Sequence, residues 1–166
     1  MGGGLGFLAN EIKKIFSHAA VYTFDVSRDA KIFGDEHFPE INYITKAIEI
    51  GDDLSEFFQY DVIIANEFYP FTRINDWEIQ KGYIDTFLNN LEANGILIIE
   101  VSQKEKTLLD NIEKLKCEYK NKLISISNIP KVRIYKRIQM YTMARILTRV
   151  ADLVFHDNKY FIIIGK

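Results

Sequence analysis

Two continuous apolar runs, YDVIIAN (Tyr60–Asn66) and ILIIEVS (Ile96–Ser102), constrain this chain more than any other feature. Each is bracketed by polar residues and reads as a parallel strand buried on both faces. Between them, Ile79, Tyr83, Phe87 and Leu91 recur every four residues, which predicts a helix from about Trp77 to Leu91. The stretch EANG ends that helix, with Asn94-Gly95 as a turn. A strand, a crossover helix and a second strand make one unit of a parallel sheet, which needs helices on both faces.

The rest of the chain continues the alternation. Leu8, Ile12, Ile15 and Phe16 mark one face of a first helix. AVYTFDV (Ala20–Val26) and INYITKAIE (Ile41–Glu49) read as strands, as do KLISISNI (Lys122–Ile129) and the closing KYFIIIGK. Leu108, Leu109, Ile112 and Leu115 share a helical face, and a last helix is expected from about Lys136 to Leu153. The predicted fold is α/β, a Rossmann-like three-layer sandwich with a mostly parallel sheet and an antiparallel final strand.

At 166 residues the chain is long enough for one domain with a real core, spanning residues 1–166. A net charge of -2 with dispersed Lys and Arg gives no footprint for nucleic acid. No apolar run approaches the roughly 18 residues of a membrane span, and no signal-peptide pattern opens the chain. The single cysteine, Cys117, excludes an internal disulfide and argues against structural zinc. The three histidines, His18, His37 and His156, lack metal-ligand spacing, so no metal is expected. These features describe a cytoplasmic protein.

Ligands of open α/β sheets bind beyond the carboxyl ends of the strands, so chemistry is sought there. The chain opens MGGGLGF, which alone reads equally as a tag or as a ligand loop. The helix that follows and the strand that ends at Asp25 favour the loop. Asp25 lies 19 residues past Gly6, where a carboxylate can accept both ribose hydroxyls of a nucleoside lying on the glycines. The Gly2, Gly4, Gly6 spacing differs from the Gly-x-Gly-x-x-Gly of dinucleotide sites and argues against an NAD enzyme.

The blocks GGGLG, VYTFDVS, YDVIIANEFYPF and LEANGILIIEVS, in that order, resemble class I S-adenosylmethionine-dependent methyltransferases. The resemblance covers essentially the whole chain and rests on order and spacing. Among subfamilies, GGGLGFLANEIKKIF is most similar to sugar O-methyltransferases. It implies that Gly2, Gly4 and Gly6 line the methionine part of the cofactor and that Asp25 holds its ribose. It also places Asn66 with the cofactor, facing the transferred methyl, and Tyr69 with the acceptor. NEFY is spaced like the Asn-Pro-Pro-Tyr of amino-group methylators but lacks both prolines.

Only Met1 precedes the glycines, so the family's opening strand is missing and the resemblance implies a domain truncated at its N-terminus. An acidic residue near the adenine would come from Glu49, Asp52 or Asp53, which read equally as a solvated acidic turn. A hydroxyl acceptor needs a base, for which Glu67 and His37 are the candidates, ahead of His18. Phe68 reads as packing, and the basic stretch Lys131–Arg137 as a solvated strand end. The expected partner is a small-molecule acceptor, without nucleic acid or membrane, and a homodimer is allowed. The alternative to an enzyme is a methyltransferase-like binding domain within a larger protein.

Overall fold

The computed structural model describes residues 3–54, 59–102, 107–130 and 158–166. Two sheets form among them. β1 (Tyr22–Asp25) pairs in parallel with β2 (Asn42–Thr45). The larger sheet has the order β3-β4-β6-β5, with β3 at Tyr60–Asn66, β4 at Leu91–Ser102, β5 at Leu123–Pro130 and β6 at Asn158–Gly165. β3 and β4 are parallel, whereas β6 runs antiparallel to both β4 and β5. The final strand is therefore the reversed one, as expected.

No ladder joins β1 to β3 among the described residues, yet side chains connect the two sheets. The Tyr60 ring meets Tyr22 at 6.1 Å and Phe24 at 6.5 Å. Phe24 and Ile48 share one buried cluster with Ile63, Ala65, Leu97, Ile99, Ile162 and Ile164. Each fully buried Phe or Ile of such a core contributes about 1.5–3 kcal/mol. The expectation that β3 is buried throughout needs correction, because Asp61 and Val62 are exposed and full burial is reached only at Ile63 and Ala65. Only β4 pairs with β3 among the described residues, so one edge lacks the cover that a central strand has.

Among the described residues six helices connect or flank the strands: α1 (Phe7–Ile15), α2 (Arg28–His37), α3 (Tyr69–Arg73), α4 (Trp77–Asn89), α5 (Thr107–Asp110) and α6 (Ile112–Glu118). Local chemistry sets their ends. The Ser27 hydroxyl accepts from the Ala30 amide and starts α2, and Asp76 accepts from the Glu78 and Ile79 amides and starts α4. Beyond α4, the Asn90 side chain accepts from the Leu54 amide at 2.6 Å and donates to the carbonyls of Asp52 and Thr86. That network stops the helix before Leu91, which becomes the first residue of β4. The register then jumps from the Tyr60–Leu91 pair to the Val62–Ile96 pair. The residues between, where a turn was expected, are instead an irregular stretch within β4, with Asn94 at a φ of 74°.

Three expectations change. The helix over Leu108–Leu115 is two short helices, because buried Asn111 donates to Asn75 and Gln80 where they meet. The second strand stops at Thr45 instead of reaching Glu49. The apolar stripe of α1 faces outward: Leu8, Ile15 and Phe16 are exposed, and Ala9 is the buried residue, packed with Ile41 and Tyr43. A small residue at that point lets α1 approach the strands closely. The helix expected over 136–153 and the basic stretch Lys131–Arg137 lie outside the described residues. Among the described residues, no helix is long and apolar enough to cross a membrane.

Candidate functional site

The glycine loop is tied to the carboxyl end of β1. Gly3 donates its amide to the Phe24 carbonyl at 3.0 Å, and Gly4 donates to Asp25 Oδ2 at 2.8 Å. The other oxygen, Asp25 Oδ1, accepts from the Ser27 amide at 2.9 Å. A carboxylate offers about four lone-pair directions, so Asp25 keeps capacity for further donors.

Gly4 and Gly6 have different duties. Gly4 sits at a φ of 51°, and a Cβ there would meet no atom within 4 Å, so open space lies over its backbone beside Asp25. Gly6 caps α1 at a φ of 83°, and a Cβ there would fall 1.4 Å from the Tyr43 hydroxyl oxygen. That hydroxyl donates to the Leu5 carbonyl at 3.1 Å and so fastens the loop to β2. Burial, and secondarily the Asp35 charge, push the Tyr43 phenol up from its ordinary value, which keeps it a donor. Gly4, Gly6 and Ala9 together form a Gly-x-Gly-x-x-Ala pattern, which sequence reading passed over in favour of Gly2. Gly2 itself lies outside the described residues.

A second group gathers at the carboxyl ends of β3 and β4. Asn66 pairs in register with Glu100, and its Oδ1 is buried without a hydrogen-bond partner. Glu67 follows at a φ of 46°, a left-handed conformation that non-glycine residues seldom adopt. Its amide donates to the Glu100 carbonyl at 3.2 Å. Lys159, at the start of β6, hydrogen-bonds the Glu100 carboxylate and lies 3.7 Å from Glu67 Oε1. The Glu100 side chain is 12% exposed, Lys159 20% and Glu67 54%. Burial alone would lower the Lys159 ammonium, but the Glu100 hydrogen bond and the charges of Glu100 and Glu67 outweigh it and hold the group above its ordinary value.

Sequence reading singled out Asn66 and Glu67 and passed over Glu100 and Lys159. The available signal was Glu100 itself, the one charge inside the apolar run ILIIEVS. Phe68 packs as expected, against Phe71, Tyr83 and Phe87 at 5.2–5.5 Å. Tyr69 begins α3 and is 66% exposed.

His37 stands apart from the other candidate base. It closes α2, where its ring stacks on Phe33 at 4.1 Å and its Nδ1 lies 2.9 Å from the Phe33 carbonyl. The opposite end of α2 adjoins Asp25 through Ser27, and ten helical residues, about 15 Å, lie between. The structure does not gather His37 with Asn66 and Glu67. His18 is exposed beyond α1, and His156 lies outside the described residues.

The adenine-side carboxylates are likewise accounted for in part. Asp52 Oδ2 accepts from the Glu49 amide at 3.0 Å and pairs with Lys46 at 3.5 Å. The Asp52 carbonyl is held by Asn90, and Gly51 donates to Thr86 at 2.8 Å. This segment therefore runs along α4 toward the amino end of β4, away from the strand ends that carry Asn66. Asp52 is a turn-capping residue there.

Solved structures share the fold. The plantazolicin methyltransferase BpumL, in complex with a pentazolic desmethylPZN analog and SAH, aligns at a TM-score of 0.61 and 16% identity over 99% of this chain and 75% of that one. The N-methyltransferase NodS from Bradyrhizobium japonicum WM9 aligns at 0.59 and 13% identity, over 99% of this chain and 82% of its own. StiE O-MT residues 961-1257 align at 0.63 and 11% identity, over 99% and 65%. No family model and no curated protein matches the sequence. At such identities the likeness is one of architecture, and this chain has the α/β fold of the methyltransferases BpumL and NodS.

Proposed function

We propose that this chain binds S-adenosylmethionine and transfers its methyl group to a small molecule, with a sugar hydroxyl as the acceptor. The observation that supports this most is the Gly4–Asp25 cradle. An open glycine backbone beside a carboxylate with spare acceptor capacity fits a ribose. Neighbours of the same fold, BpumL among them, were crystallised with SAH.

In this reading Asp25 accepts the ribose hydroxyls, and Gly4 and Gly6, with Gly2 before them, line the methionine part. When bound, the cofactor supplies a methyl carbon on a sulfonium: the carbon–sulfur bond breaks with its electron pair kept by sulfur, while the acceptor oxygen bonds the carbon and releases its proton. Glu67 takes that proton, since it is half-exposed and at the strand end. The unpartnered Asn66 Oδ1 accepts a hydrogen bond from the ligand, which satisfies a buried group that is otherwise costly. Exposed Tyr69 offers an aromatic face to the acceptor or to the cation. The protein's main contribution is alignment.

Calorimetric titration of S-adenosylhomocysteine into the chain tests this reading. Saturable binding is expected; no heat at high micromolar nucleoside would overturn it.

A second reading, a methyltransferase-like binding domain without turnover, draws on one observation. β1 and β3 share no ladder among the described residues, so the cradle and the Asn66 group stand on different sheets. Retention of S-adenosylhomocysteine together with no methyl transfer across a panel of sugars and amines would favour it.

A further inference from the structure

Resting on the cofactor reading above, we propose that Glu67, tethered through Lys159 to Glu100, lets the site tell a sulfonium from a thioether. S-adenosylmethionine is then favoured over S-adenosylhomocysteine more than it would be without that carboxylate.

Charge bookkeeping at the strand ends leads there. Glu100 and Lys159 are the two most buried members of the group and hydrogen-bond each other, so their charges largely cancel. Glu67 stands 3.7 Å from the same ammonium with its side chain half-exposed, so its negative charge is the one left for a ligand. Its Oε1 faces Lys159. The left-handed backbone at Glu67 lets its amide reach the Glu100 carbonyl while the side chain stays at the edge. A non-glycine residue held in that conformation at a strand end points to a functional constraint. Beside it, the Asn66 Oδ1 is buried without a hydrogen-bond partner. Among the described residues the group therefore carries a net negative charge, which stabilises a full positive charge and leaves a neutral sulfur unaffected.

Methyl transfer removes that positive charge from sulfur and leaves every other group of the nucleoside unchanged. The two forms therefore probe a single charge difference against Glu67. A half-exposed carboxylate paired with a cation changes its affinity by about threefold.

The experiment is calorimetry of both nucleosides with the full chain, Glu67→Gln and Glu67→Asp, at low salt. Glu67→Gln should weaken S-adenosylmethionine about threefold relative to S-adenosylhomocysteine, whose affinity stays unchanged and shows that the fold is intact. Glu67→Asp keeps the charge and should retain the preference. Raising the salt to 0.5 M should shrink the preference in the unmodified chain. A ratio untouched by Glu67→Gln, or equal losses for both nucleosides, would overturn the proposal while leaving the cofactor reading standing. Binding of neither nucleoside by the unmodified chain would overturn both.

Discussion

The Gly4 amide donates to the Asp25 carboxylate at 2.8 Å, so the glycine loop and the end of β1 are one device. The bond joins residues 21 positions apart, and the Ser27 amide on the other oxygen keeps the carboxylate from turning. Asp25→Ala removes the acceptor for both amides at once. Hydrogen bonds to a charged group contribute about 1.5–3 kcal/mol, so nucleoside affinity should fall roughly tenfold to a hundredfold. Calorimetry with S-adenosylhomocysteine measures this, and unchanged affinity would refute the ribose assignment.

Gly4 and Gly6 should respond differently to alanine. Gly6→Ala places a methyl 1.4 Å from the Tyr43 hydroxyl oxygen and forces a residue with a side chain into a φ of 83°. A loss of roughly 1–3 kcal/mol in stability is expected from the backbone strain alone, visible by urea unfolding. Gly4→Ala meets no neighbouring atom, so its cost is only the left-handed backbone, about 1–2 kcal/mol. The added methyl points into the space the ligand needs, so nucleoside binding should weaken by more than the stability change accounts for.

Alkaline pH should weaken the fold, with Lys159 and Tyr119 among the groups responsible. Lys159 is held above its ordinary value of 10.5, with burial opposed and outweighed by Glu100 and Glu67. Tyr119 is pushed up from 10.0 by burial, by its 2.7 Å bond to Asp85 and by the charges of Asp85 and Glu118. Both favour the protonated form in the folded state. Their contribution is complete below the unfolded values and is lost as pH rises toward the folded ones. Urea-unfolding free energy should therefore be level from about pH 7 to 9 and fall above about pH 10. Tyr119→Phe should cost about 1 kcal/mol at neutral pH and make the alkaline fall shallower. An unaltered slope in that variant would remove Tyr119 from the explanation.

Legibility in the sequence followed the range of the interactions. β3 and the second half of β4 were readable because four successive apolar side chains in each, Val62–Ala65 and Ile96–Ile99, leave few alternatives to a buried strand. Asp25 and Glu67 were readable because each stands at or just past the end of a strand. Lys159 was not, because it meets Glu100 across 59 residues, through the antiparallel register of β6. The inward face of α1 was misread for a related reason. Periodicity identifies the apolar stripe, but the close approach at Ala9, beside Tyr43, decides which side touches the strands. The division at Asn111 likewise depends on Asn75 and Gln80, more than 30 positions away.

The outward stripe of α1 supplies the last prediction. Leu8, Ile15 and Phe16 lie on the solvent side, and Ile15 is 73% exposed. Charging the stripe removes no packing. Ile15→Lys with Phe16→Glu should leave unfolding free energy within about 0.5 kcal/mol of the unmodified chain. The same double variant should lower self-association, read by light scattering at rising concentration, because a contiguous apolar face is removed from water. A loss of about 2 kcal/mol or more would instead mean that the stripe is covered in solution, as burial of such side chains contributes that much. Equal scattering from both proteins would show that the face does not drive association.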